Sequence, residues 1–189
     1  MRHNAAPCHF KGDSSWVILS PIERSIKEKI ERIGMPLKDW DVKIYRGILT
    51  GCNEAFIIDE ATKQQLIAED PKSAEIIRPI LRGRDIKRYA YEWAGLYLIA
   101  THNGIPDKVI PKIDIEKYPA VKTHLNSYWT QIKNRSDQGD TPYNLRSCAY
   151  MEDFSKPKIV WGEISDKTKF ALDQYGKFCN EATTFLMTG

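Results

Sequence analysis

The sequence predicts a mixed α+β domain in which helices flank a twisted, largely antiparallel sheet. Apolar residues recur at helical spacing over 21–33 and again from 119 to 132, as expected for amphipathic helices. The last third of the chain instead has short apolar runs separated by turn residues, which favours antiparallel strands. With 42% hydrophobic and 28% charged residues, the 189-residue chain can bury a core and is not compositionally disordered.

The first predicted element is an amphipathic helix over 21–33. Ser20 and Glu23 have the spacing of a capping box, and Pro21 suits the first helical position because its missing N–H needs no partner there. One face of this helix carries Ile22, Ile26, Ile30 and Ile33. The helix is expected to end at Gly34, where the isoleucine pattern stops.

The middle of the chain is predicted to alternate short strands and helices. The strand candidates are 42–48, 55–58, 86–91 and 96–101. The first two are expected to pair across a turn at 50–53. Asp59 is placed to cap a helix over 60–69, and a second helical stretch is expected near 72–80.

The remaining elements are a helix that begins near Pro119 and the β-rich last third. The predicted strands there are 158–164, 169–173 and 178–187. The last of these is apolar nearly to Gly189, so we expect the chain to be a fragment, truncated at its C-terminus. We divide it into a lead-in with a linker helix, residues 1–40, and a main domain, residues 41–189.

The positive charge is concentrated in residues 78–89, which we call the basic segment. The whole chain has a formal net charge of +3, and this segment alone has five basic residues against one Asp. The basic residues are Arg78, Arg82, Arg84, Lys87 and Arg88. Arginines mixed with Gly83 and Tyr89 suit bidentate phosphate or guanine recognition. The alternative is a solvated face in which Asp85 pairs with a neighbouring arginine.

The sequence lacks the motifs of several enzyme classes. Phosphate-binding loops, the G-x-S-x-G elbow, the H-E-x-x-H zinc motif and the Asn/Asp-Pro-Pro-aromatic tetrad of amino-methyltransferases are all absent. We therefore predict no catalytic and no metal-binding residue. A degenerate nuclease that uses Asp107, Asp114 and Glu116 is a weaker alternative, because Asp114 fits a helix cap better.

Cysteine usage and hydropathy predict a soluble cytoplasmic protein without membrane contact. The four cysteines include no Cys-x-x-Cys pair, which favours reduced thiols over disulfides or zinc. No apolar run approaches the roughly 18–20 residues that a spanning helix needs.

Four stretches together resemble one protein family. They are YRGILTGCNEAFIID from Tyr45, ILRGRDIKRY from Ile80, LRSCAY from Leu145 and FSKPKI from Phe154. Their order and spacing resemble the TaqI-like C-terminal specificity domain. That domain is the target-recognition part of bifunctional type IIG restriction-modification enzymes and of related adenine-specific DNA methyltransferases. The likeness covers about residues 40–189.

The resemblance implies that this chain recognises double-stranded DNA. It also implies an upstream methyltransferase domain in the same polypeptide and, in the restriction enzymes, a nuclease domain. S-adenosylmethionine and Mg²⁺ would belong to those domains, and this fragment would hold no cofactor. The alternative is a protein-interaction domain whose basic segment binds an acidic protein surface.

The candidate DNA-binding residues follow from the resemblance and from the residue types. They are Arg46, Thr50, Gly51, Asn53, Arg82, Arg84, Lys87, Arg88, His102, Asn103, Arg135, Tyr143, Arg146 and Lys156. The basic segment would bind phosphates, with one arginine suited to guanine. The loop residues His102, Asn103, Arg135 and Tyr143 would lie where base contacts are common. The turn at 50–53 has an alternative role, in which its side chains bond their own backbone.

Overall fold

The structure, a computed structural model, describes residues 18–189, and the chain divides into two units between Val42 and Lys43. The first unit contains helix α1 (Pro21–Ile33). The predicted capping box is confirmed, since Ser20 and Glu23 each accept a hydrogen bond from the other's backbone N–H. All four isoleucines of its apolar stripe are exposed. The predicted lead-in before residue 18 lies outside the described residues.

The second unit combines short helices with short strands, which confirms the mixed α+β prediction. Its helices are α2 (Asn53–Phe56), α3 (Glu60–Glu69), α4 (Pro119–Ser127) and α5 (Trp129–Ile132). Its strands are β1 (Lys43–Arg46), β2 (Ile57–Ile58), β3 (Ile77–Leu81), β4 (Ile86–Lys87), β5 (Ala90–Tyr91), β6 (Tyr97–Ile99), β7 (Lys158–Gly162), β8 (Phe170–Asp173), β9 (Cys179–Asn180) and β10 (Thr184–Thr188). Among residues 18–189, no helix has both the length and the apolar character needed to cross a bilayer.

The strands form two four-stranded sheets and a separate hairpin. The first sheet has the order β1-β10-β7-β8, and all its pairs are antiparallel. The second has the order β2-β6-β3-β9, with β3 and β9 parallel and the other pairs antiparallel. Strands β4 and β5 form the hairpin. The pairing is therefore largely antiparallel, as predicted.

The predicted strand pair around the 50–53 turn is wrong. Strand β1 lies in the first sheet and β2 in the second, while residues 53–56 form helix α2. The cause is a close approach of distant backbone: the amide of Gly47 donates to Thr184 O at 2.8 Å, and that of Ile48 to Asn180 O at 2.7 Å. A Cβ on Gly47 would lie 2.1 Å from Glu181 O, so only glycine fits this crossing.

The strand expected over 86–91 is instead the hairpin of β4 and β5, and two further elements also differ from the sequence prediction. The helix expected near 72–80 is a 3-10 turn, Pro71–Glu75, followed by β3 in the centre of the second sheet. The long strand expected over 178–187 is divided into β9 and β10, which belong to different sheets. In both cases pairing with distant strands decides the backbone conformation, and the spacing of apolar residues in the sequence does not indicate that pairing.

An ion pair lies inside the core of the second unit. Lys158 Nζ donates to Asp173 Oδ2 at 2.6 Å and to Phe154 O at 2.7 Å, and both charged side chains are buried. Asp173 also accepts from the backbone amides of Lys177 and Phe178, at 3.0 Å each. Burial lowers the pKa of Lys158, while its bond to Asp173 opposes that shift. The pair joins the turn before β7 to the turn after β8.

The outer face of the first sheet is apolar and partly open to solvent. Four residues in register across its strands form one row: Ile44, Met187, Ile159 and Leu172. A second row contains Phe185, Trp161 and Phe170. Ile44 and Leu172 are exposed, whereas Val160 and Leu186 on the other face are fully buried. Exposed apolar faces of this extent are typical of interaction surfaces.

Candidate functional site

Several of the candidate residues line one groove with a volume of about 530 Å³. Its lining comes from the basic segment, from the turn at Asn53, from Glu181 and Thr183, and from the loop that joins β7 to β8, residues 163–169. We call it the arginine groove, because Arg82 and Arg84 both line it. The sequence prediction had placed both arginines at the DNA surface.

Arg82 is fixed by a buried carboxylate. Its Nη2 donates to Asp85 Oδ1 at 2.9 Å, and its Nε donates to Asp85 Oδ2 at 3.1 Å. The backbone amide of Arg82 also donates to Asp85 Oδ2, at 2.9 Å. Asp85 is only 4% exposed, so its charge needs these donors. The alternative interpretation of the basic segment, a pair between Asp85 and a neighbouring arginine, is confirmed for Arg82.

Replacing Arg82 with Ala is expected to destabilise the chain, because it removes two charged donors from buried Asp85. The loss should be about 1–3 kcal/mol or somewhat more, as for buried polar groups that lose a partner. A lower melting temperature in a thermal scan would show it. Arg84→Ala is the matched control, and we expect its melting temperature to equal that of the wild-type chain. Equal melting of all three proteins would contradict the structural role of Arg82.

Arg84 and Arg88 are the arginines of the basic segment that are open to a ligand. Arg84 is exposed, and within residues 18–189 its side chain has no hydrogen-bond or ion-pair partner. Arg88 lies over the ring of exposed Tyr89 at 5.4 Å from its centroid. Lys87 is held by Arg84 O at 3.1 Å and by the carboxylate of Glu92 at 3.3 Å. Arg84 therefore offers a free guanidinium in the groove.

The turn at 50–53 is held mainly by its own side chains. Thr50 Oγ1 donates to Asn53 Oδ1 at 2.6 Å and accepts from the Cys52 amide at 3.2 Å, and Thr50 is buried. Gly51 has a φ of +67°, a conformation that favours glycine. Asn53 is exposed at the groove and donates to Glu181 Oε1 at 3.4 Å. Asn53 is thus the member of the turn that lines the arginine groove.

Arg135, predicted to be a base-contacting loop residue, is buried and bonded to backbone carbonyls, which favours a structural role. The residue is 6% exposed, and its Nε donates to Thr50 O at 2.8 Å. Its two terminal nitrogens donate to Pro142 O and Asn144 O, and the guanidinium lies 4.5 Å from the ring centroid of Phe56. Burial lowers the pKa of Arg135, although an arginine stays protonated near neutral pH. No local pattern distinguishes such an arginine from an exposed one.

The other predicted loop residues mostly tie loops together. Asn103 donates to Asp140 Oδ1 at 3.0 Å and to Ser147 Oγ at 2.9 Å, and it accepts from the Asp140 amide at 2.9 Å. The Tyr143 hydroxyl donates to Asn126 Oδ1 at 2.7 Å. His102 lines a different cavity, of about 410 Å³, and burial lowers its pKa, which favours the neutral imidazole. These residues do not line the arginine groove.

The remaining basic candidates lie in two places. Arg46 and Arg146 line a second cleft of about 330 Å³. Arg46 also pairs at 3.0 Å with Glu163, which lines the arginine groove, so Arg46 connects the two surfaces. Lys156 pairs with Asp153 at 2.8 Å and lines neither cleft.

The β7–β8 loop is the part of the groove that sequence reasoning missed. Glu163, Ile164, Ser165, Asp166 and Lys169 all line the groove. The sequence prediction placed Glu163 and Ile164 at the end of one strand and Lys169 at the start of the next, with Ser165 and Asp166 between them. The available signal was an exposed charged loop, which by itself does not indicate a site. The loop reaches the groove because β8 lies beside the basic segment, where the Tyr89 amide donates to Phe170 O at 2.7 Å.

The acidic residues of the nuclease alternative have local partners. The Asp114 side chain accepts from the Glu116 amide at 3.1 Å, which confirms the predicted cap, here on the 3-10 helix Ile115–Lys117. Glu116 pairs with Lys122 at 2.7 Å. In the part of the chain that the structure describes, no three His, Cys, Asp or Glu residues are grouped so that they could hold a metal ion. The nuclease alternative gains no support from this arrangement.

Comparison with known proteins gives one family and one fold. A family model described as the TaqI-like C-terminal specificity domain matches residues 78–188, more than half of the chain. No curated protein matches. Seventeen chains of solved structures match this chain, including the type IIL restriction-modification enzyme MmeI in complex with DNA. That similarity has a TM-score of 0.56 at 12% identity, so it shows a shared fold. It covers 76% of this chain and only 19% of the MmeI chain.

Proposed function

The chain belongs to the TaqI-like C-terminal specificity domain family, and from this membership we propose that it recognises a specific sequence in double-stranded DNA. Its place would be in a restriction-modification enzyme. The observation that carries the proposal is the arginine groove: the family match over 78–188 includes both Arg84 and the β7–β8 loop, which line it. The DNA-bound state of the MmeI structure supports the same function.

The groove has the groups that duplex recognition requires. Arg84 supplies an exposed, unpaired guanidinium, which suits a phosphate oxygen or the O6/N7 edge of guanine. Arg88 is exposed in the same basic segment, and Arg46 pairs with Glu163 of the groove, so both are further cations for phosphate contacts. Asn53, Asp166 and Thr183 add neutral and acceptor groups that a surface built only for phosphates would not need. We therefore assign phosphate contacts to Arg84, Arg88 and Arg46, and base contacts to the uncharged and acidic side chains that line the groove.

We place the catalytic steps in other domains of a longer protein. That protein would be a type IIG restriction-modification enzyme or an adenine-specific DNA methyltransferase, with a methyltransferase domain upstream of this chain. S-adenosylmethionine and Mg²⁺ would bind in those domains, and the enzyme would act in the cytoplasm. The family resemblance supports this part of the proposal.

Binding of random-sequence duplexes at several salt concentrations tests the proposed function. We expect salt-sensitive binding, because phosphate contacts release counterions, and enrichment of one short motif. Binding without enrichment would contradict sequence recognition by this chain. No binding at low salt would instead favour the alternative, a protein-interaction domain whose basic segment binds an acidic protein surface.

Replacing Arg84 with Ala is expected to weaken duplex binding to all sequences to a similar degree. The slope of log K against log[salt] should become shallower by about one, which is the change expected for one lost phosphate contact. The measurement is a salt series with one duplex. Lys72→Ala is the matched control, since Lys72 is exposed and does not line the groove. Equal slopes for Arg84→Ala and the wild-type chain would remove Arg84 from the interface.

A further inference from the structure

The β7–β8 loop brings two kinds of side chain to the arginine groove that phosphates do not attract. Asp166 and Glu163 are carboxylates, and Ile164 is aliphatic. Ile164 is 94% exposed, and the Asp166 side chain is 72% exposed, so both are open to a partner. Neither residue belongs to the four stretches that carry the family resemblance, the last of which ends at Ile159.

The carboxylates indicate contact with base edges. A carboxylate only accepts hydrogen bonds, and phosphate oxygens repel it, so it gains nothing from the DNA backbone. The donors that a duplex presents in its grooves are the amino groups of the bases. A groove that holds acidic and basic side chains together therefore suits base edges on one side and phosphates on the other.

Asp166 is free to exchange its present partner. It pairs with Lys169 at 3.1 Å, and this bond holds the pKa of Asp166 below its ordinary value, so the carboxylate is ionised at neutral pH. Both side chains of the pair are exposed, and such pairs contribute about 0–1 kcal/mol. Glu163 is less available, since it pairs with Arg46 and its side chain is about half as exposed as that of Asp166.

Ile164 supplies the apolar counterpart. The C5-methyl group of thymine is the aliphatic group of the major groove, and apolar side chains contact it. Ile164 stands two residues before Asp166 on the same loop and lines the same groove.

We propose that the β7–β8 loop is the specificity-determining element, with Asp166 accepting from the N4 amino group of a cytosine and Ile164 packing against a thymine methyl. This inference rests on the proposed function and assigns its two parts to different residues. Arg84 binds a phosphate, and the β7–β8 loop distinguishes bases. Asp166 and Ile164 are thus two base-contacting residues that the sequence prediction did not include.

Selection from random duplexes with single variants tests this division. The wild-type chain should enrich a motif that contains a cytosine and a thymine. Asp166→Asn should move the preference at the cytosine position toward adenine, because an asparagine amide pairs with the N6/N7 edge of adenine. Ile164→Ala should lose the thymine preference. Each change should be roughly five- to tenfold, the lower range for a good base contact.

Two controls separate this inference from the proposed function. Arg84→Ala should enrich the wild-type motif with lower affinity, and Asp107→Asn should match the wild-type chain in both respects, since Asp107 is exposed outside the groove. If Asp166→Asn and Ile164→Ala both keep the wild-type motif, the loop inference fails and DNA recognition stands. If the wild-type chain enriches no motif, both fail. Equal melting temperatures verify that the exposed substitutions leave the fold intact.

Discussion

Replacing Lys158 with Met is expected to lower the free energy of unfolding by about 3–5 kcal/mol, the cost of breaking a buried ion pair by removing one partner. The Asp173 carboxylate would keep two backbone donors and lose its counter-charge in a buried site. Typical domains have only about 5–15 kcal/mol of stability, so this one change would consume a large part of it. Urea unfolding measures the effect as a lower midpoint.

A double variant and a surface control identify the cause. Lys158→Met combined with Asp173→Asn should be more stable than Lys158→Met alone, because the amide oxygen can still accept from Lys177 or Phe178 and no charge is buried. Lys122→Met, which breaks an exposed pair with Glu116, should cost at most about 1 kcal/mol. A wild-type midpoint for Lys158→Met would show that the buried pair contributes nothing.

The motifs that carry the family resemblance turn out to hold the fold. Lys158 belongs to FSKPKI and forms the core ion pair. Asp85 belongs to ILRGRDIKRY and fixes Arg82. Gly47 belongs to YRGILTG and permits the close crossing at Glu181. The sequence therefore identified the family through residues that the backbone and core require, and those residues say little about which groups a ligand contacts.

Structural features that depend on neighbouring residues were predictable from the sequence, whereas features that depend on distant residues were not. The N-caps of α1 and α3 depend on neighbouring residues, and both are confirmed: Ser20 accepts from Glu23 and Asp59 from Thr62. The conformation of β3 depends on β6 and β9, which come from distant parts of the chain. The arginine groove likewise joins residues 82–84 to the β7–β8 loop, which is distant from them in the sequence. Periodicity contains no information on such pairings, so the β7–β8 loop could not be assigned to the site.

Replacing Arg135 with Ala is expected to destabilise the chain strongly and to disturb the groove indirectly. The carbonyls of Thr50 and Pro142 would lose the donors that Arg135 supplies, and a buried carbonyl without a partner costs about 1–3 kcal/mol. Thr50 Oγ1 in turn positions Asn53 at the groove. Thermal unfolding should show a melting temperature several degrees lower, at about 2–4 °C per kcal/mol for a domain of this size.

The Arg135 variants separate a structural residue from a base-contacting one. A base-contacting arginine, when truncated, would lower affinity and leave the melting temperature unchanged, whereas truncation of a buried arginine that bonds four backbone carbonyls should lower the melting temperature. Arg135→Lys should recover only part of the loss, since one ammonium cannot reproduce the guanidinium's spread of donors. Arg146→Ala is the control, with a side chain 66% exposed, and its melting temperature should stay near that of the wild-type chain. Wild-type melting of Arg135→Ala with reduced duplex affinity would return Arg135 to the interface and refute its role in the core.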